Sequence, residues 1–124
     1  FLPLGSVPAA HFALTRGAPS WFASSNLVER GFCSRCGTPL FYRLIGEQAV
    51  AVVLGSLDRP ELVKPGWQSD IYARMPWFDE LSALVAREGD ETTEEEARRY
   101  QSIRLSNHQH PDHDTTAWPP EDPA

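Results

Sequence analysis

The sequence predicts a small, mainly β, antiparallel domain, sandwich-like or tent-like, with short helical segments towards the C-terminus and a disordered tail. Three observations predict it. Short runs of β-branched and aromatic residues recur about every ten residues between turn signals. Two of these runs are separated by Gly46-Glu47 alone, as in a tight hairpin. Eleven prolines in 124 residues leave little room for a helical bundle. A chain of this length folds around one modest core.

The elements follow in chain order. His11–Thr15 reads as a strand ended by the turn Arg16-Gly17-Ala18-Pro19, and Trp21–Ala23 as a second. Leu27–Phe32 is a third, running into Cys33. Leu40–Ile45 alternates weakly and pairs across Gly46-Glu47 with Gln48–Leu54. That last run is almost continuously apolar, the pattern of a strand covered on both faces. Strict alternation sets Val50, Val52 and Leu54 on one face and Ala49, Ala51 and Val53 on the other. A punctuated loop follows through Asp58-Arg59-Pro60 and Pro65-Gly66, and Ser69–Ala73 reads as one more strand.

Pro76-Trp77 opens a short helix with Trp77, Phe78, Leu81, Leu84 and Val85 on one stripe, stopped by Gly89. A second helix is capped by Thr92 or Thr93, with Glu95 or Glu96 completing a capping box. Its acids lie early, and Arg98, Arg99 and Arg104 lie later, as the helix dipole favours. Beyond Asn107 the chain is His, Asp, Thr and Pro without periodicity, hence the expected disorder. The organisation expected is a β-rich zinc-binding domain over 1–90, a helix with an acidic start over 91–106 and a His/Pro-rich tail over 107–124.

Charge excludes some functions. Residues 1–60 hold five basic and three acidic side chains, and residues 61–124 hold six and fourteen. A formal charge of −6 argues against a nucleic-acid partner. No apolar run approaches the ~20 residues that span a bilayer, so no membrane partner is expected. No signal-peptide pattern opens the chain, and a cytoplasmic location is expected. Phe1 in place of an initiator methionine suggests a processed chain or a segment of a longer one.

The strongest chemical signal is Cys33-Ser34-Arg35-Cys36-Gly37-Thr38. Two cysteines two residues apart on a turn can face one cation, and Gly37 allows the positive φ the turn needs. Zinc is the expected ligand, with Cys33 and Cys36 as metal ligands. The alternatives are a thiol redox pair and two inert cysteines. The redox motif opens a helix, whereas Pro39-Leu40-Phe41-Tyr42 continues here as a strand. A structural zinc takes four ligands, and this chain has no second cysteine pair. His11 reads as a surface or packing residue, and His108, His110 and His113 as tail composition rather than a held site. Ser24 and Ser25 lack a His/Asp partner pattern and read as a turn. Trp67, beside Pro65-Gly66, is a candidate pocket wall, with core packing the alternative.

The run Ser24-Ser25-Asn26-Leu27-Val28-Glu29-Arg30-Gly31-Phe32-Cys33-Ser34-Arg35-Cys36-Gly37-Thr38-Pro39-Leu40 resembles the centre of the glutathione-dependent formaldehyde-activating enzyme family, which includes centromere protein V. The flanks Gly17–Phe22 and Val50–Pro60 are similar too, and the resemblance covers roughly residues 1–80. It implies a small all-β tent of two or three sheets around zinc. It implies a structural zinc shared between an N-terminal cysteine pair and the positions of Cys33 and Cys36. A second, catalytic zinc on three further cysteines is implied as well. Neither of those other cysteine groups occurs in this chain: either they lie before Phe1, or the chain is a degenerate member without the catalytic metal. The implied activity is carbon–sulfur lyase chemistry on S-hydroxymethylglutathione or a related small-molecule thiol adduct. The alternative is a non-catalytic zinc-stabilised β module that binds a protein or ligand.

Overall fold

Glycine and proline turns cut the first half of the chain into strands too short to stand alone, and pairing side by side satisfies their backbones. A computed structural model describes residues 1–85 and 93–108. Five strands form one sheet: β1 (Leu4–Pro8), β2 (Ser20–Ala23), β3 (Val28–Phe32), β4 (Pro39–Leu44) and β5 (Ala49–Val53). Their order is β1-β5-β4-β3-β2, and every neighbouring pair is antiparallel. The antiparallel β class is as read, with the described strands in a single sheet where the resemblance implied two or three. The sheet lies within a unit spanning Phe1–Trp67, and a second unit begins at Gln68.

The register sorts the side chains into two faces. One row crosses the sheet as Gly5, Val52, Phe41, Gly31 and Trp21. The next row, on the other face, is Ser6, Ala51, Tyr42, Arg30 and Phe22. On the first face Trp21 and Phe41 stack with centroids 5.9 Å apart, and Phe12 meets Phe41 edge-on at 5.2 Å. Arg43 lies over Trp21 at 3.9 Å and holds Glu29 at 2.7 Å. Gly31 sits beneath the stack, where an added Cβ would lie 2.9 Å from Phe41 and 3.1 Å from Trp21.

The most buried residues are Val50, Val53 and Leu54, at 7%, 7% and 5% exposure. Two of the three lie on β5, which is the most buried strand, as its apolar run implied. The register keeps Val52 and Ala51 on opposite faces, as the alternation read, with Val53 buried and Val52 half-buried. Leu54 has left the strand for a 3₁₀ turn and folds over β1, where a Cβ on Gly5 would come within 3.1 Å of it.

Three expected elements differ. No strand forms over His11–Thr15. β1 lies earlier, and residues 9–11 turn in a 3₁₀ helix. β5 begins at Ala49, opposite Pro8, so residues beyond Pro8 meet no partner strand. Ser69–Ala73 makes no strand either, because Asp70 takes a left-handed φ of 53° and a 3₁₀ turn follows. Pro76–Ala83 is 3₁₀ rather than α-helix, and Trp77, Leu84 and Val85 remain exposed.

The helix α1 (Glu94–Leu105) carries the capping box read at Thr93 and Glu96. The Glu96 N–H donates to Thr93 Oγ1, and the Thr93 N–H donates to Glu96 Oε2, both at 3.2 Å. Gly89, Thr92, His110, His113 and most of the tail lie outside the described residues. Among the described residues no helix is long and apolar enough to cross a membrane.

Candidate functional site

The site is the turn between β3 and β4. The ladder delivers Phe32 opposite Pro39, with a register shift after Gly31 that leaves Leu40 as an extra residue. Such a bulge bends the strand end and re-aims the side chains beside it. Past the strand end, the Cys33 N–H donates to the Thr38 carbonyl at 2.9 Å, and the Gly37 N–H donates to the Cys33 carbonyl at 2.8 Å. Gly37 closes the turn at φ 76°, a conformation that side chains disfavour. Both strands thus hold the two cysteines on one tight loop.

The thiols differ in surroundings. Cys33 is half-buried and Cys36 exposed, and both are free. Cys36 Sγ lies 3.0 Å from Thr38 Oγ1. Hydrogen bonding from the Thr38 side chain, then from the Thr38 backbone and the Cys33 thiol, holds the Cys36 thiol below its ordinary pKa. A thiolate is the form that binds metal or attacks an electrophile.

As a metal centre the turn fits in part. Two sulfurs on a hydrogen-bonded, glycine-closed loop suit two corners of a tetrahedral zinc. Among the described residues no third Cys, His, Asp or Glu joins them in a metal-binding group. His11 is exposed in its 3₁₀ turn, apart from the thiols. His108 follows α1, outside any element.

The remaining candidates are structural. Ser24 and Ser25 build the β2–β3 turn: the Ser24 N–H and hydroxyl both donate to the Val28 carbonyl, and the Leu27 N–H donates to Ser25 Oγ at 3.1 Å. Trp67 is 82% exposed, which corrects the alternative that it packs in the core.

Sequence reasoning missed a concavity of about 480 Å³ beside the cysteine turn, walled by Leu2, Phe22, Arg30, Phe32, Gly37 and Pro39. No local signal could have found it, because its walls come together only once β2, β3 and β4 are in register.

These features define a class: a small antiparallel β domain whose central hairpin is closed by a Cys-x-x-Cys turn. Residues 2–74 match the family model of the glutathione-dependent formaldehyde-activating enzyme, and the chain belongs to that family. No curated protein and no solved structure matches it.

Proposed function

We propose that the chain is a zinc-binding β module of the carbon–sulfur lyase type, acting on the glutathione–formaldehyde adduct or a related thiol adduct. The family match over residues 2–74, with the cysteine turn inside it, carries this reading. Cys33 and Cys36 would hold the metal, and further donors would come from outside the described residues. Zinc, when bound, supplies structural cross-linking or Lewis-acid polarisation, according to how many positions the protein fills. The chain's own part is to present two sulfurs on a turn fixed by Gly37 and Thr38. Free thiols at such a turn suit a reducing compartment, the cytoplasm.

One observation favours a second reading, a zinc-stabilised module without catalysis. The described residues offer a pair of donors, and a catalytic zinc site takes about three protein ligands and keeps an open position. Zinc content and turnover together separate the two. In the lyase reading, the zinc-loaded protein turns over S-hydroxymethylglutathione faster than the spontaneous reaction, and chelation or Cys33→Ser abolishes the excess. Zinc bound at Cys33 and Cys36 with no such excess selects the module. Metal content unchanged in Cys33→Ser removes both.

A further inference from the structure

We propose that the Cys33–Cys36 turn is a dithiol switch, closed to an intramolecular disulfide by exchange with a small-molecule disulfide. Closure leaves neither sulfur as a thiolate for a metal, so the switch goes beyond the zinc reading and does not depend on it.

The turn brings the two sulfurs together. The Gly37 N–H donates to the Cys33 carbonyl, four residues back, at 2.8 Å, and so makes one turn of α-helix. Residues three apart on such a turn have Cβ atoms about 5–6 Å apart. A disulfide needs about 3.5–4.5 Å, so a contraction of about 1 Å closes the bond. Both thiols are free, and the Cys33 thiol already hydrogen-bonds to Cys36. β4 begins only at Pro39, so the strand that follows does not draw the sulfurs apart.

Unequal access gives the cysteines different parts. Cys36 is exposed and Cys33 half-buried. The space beside Gly37 is open, since a Cβ there would meet nothing within 4 Å. A small disulfide can therefore reach Cys36 first. Cys33 lies just past the end of β3, its N–H held by the Thr38 carbonyl at 2.9 Å, and serves as the resolving thiol. Cys36, as thiolate, attacks one sulfur of the disulfide R–S–S–R. The Cys36–S–R bond forms, and R–S⁻ leaves and takes up a proton. Cys33 gives its proton to solvent and attacks Cys36 Sγ. The Cys33–Cys36 bond forms, and the second R–S⁻ leaves and is protonated. The two cysteines are oxidised, and the small disulfide is reduced to two thiols.

The probe is bis(2-hydroxyethyl) disulfide, added to the full chain with a chelator present and read by intact mass after acid quench. The wild-type protein should lose two hydrogens and keep no mercaptoethanol. Cys33→Ser, without the resolving thiol, should stop at one mercaptoethanol on Cys36. Cys36→Ser should take up mercaptoethanol at least tenfold more slowly than Cys33→Ser, because its remaining thiol is half-buried. In guanidinium chloride the two variants should react alike, which assigns the difference to the folded turn. Should a variant not fold, as judged by amide dispersion, peptide mapping of the wild-type protein quenched early decides, with the first mercaptoethanol expected on Cys36. A wild-type protein that keeps two mercaptoethanols, a first adduct on Cys33, or folded variants that react at equal rates would overturn the proposal. The reaction is read with metal removed, so its failure is distinct from failure of the zinc reading, which is read from metal content.

Discussion

Gly31 is where the aromatic face closes. Trp21 and Phe41 flank it on neighbouring strands and stack across the space a side chain would fill. Glycine costs strand stability by entropy, and covering it with aromatic rings recovers part of that cost. Gly31→Ala would push a methyl to 2.9 Å from the Phe41 ring, closer than such atoms approach. Overpacking of this kind costs about 1–3 kcal/mol. Chemical denaturation should show a loss of that size, and it should shrink in Gly31→Ala/Phe41→Leu, where the ring that clashes is gone. Additive losses in the double variant would mean that the stack is not what excludes a side chain.

Among the elements, β5 carries the core and α1 carries its own ends. Val50 is 7% exposed on β5, between β1 and β4. An unpaired carboxylate there costs several kcal/mol, so Val50→Asp should abolish cooperative unfolding of the sheet. A soluble Val50→Asp protein with a normal melting transition would show that β5 is not central. Thr93→Ala removes the hydroxyl that accepts the Glu96 N–H and should cost the helix about 1 kcal/mol. Helical circular dichroism should fall, while the amide shifts of residues 20–53 stay in place.

Legibility in the sequence depends on the range of the interactions. The β4–β5 pair was readable because Gly46 stands between adjacent runs and turns at φ 88°. The cap at Thr93 was readable because both its hydrogen bonds span three residues. The cysteine turn was readable for the same local reason. β1 was not. Its partner β5 lies more than forty positions away, and Gly5 and Pro8 make its run look like loop. The concavity was not readable either, because Phe22, Arg30 and Pro39 meet only once the register of three strands is set.

At the scale of the whole molecule, a small core would make a metal held at the cysteine turn matter for stability. Among the described residues three hydrophobic side chains are buried, few for a sheet of five strands. Small domains with limited cores often rely on a metal or a cross-link. Zinc bound to Cys33 and Cys36 in the folded chain, and poorly in the unfolded one, would add stability in proportion to the logarithm of free zinc. Each tenfold rise above the dissociation constant is worth about 1.4 kcal/mol. The melting temperature should climb steadily with zinc, fall back on chelation, and stay flat in Cys33→Ser. Cys36→Ser should behave alike, since either substitution leaves one sulfur, and a single thiolate on a turn cannot close a chelate ring. A melting temperature that ignores zinc in the wild-type protein would sink the metal assignment while leaving the sheet, its register and the Arg30 concavity untouched.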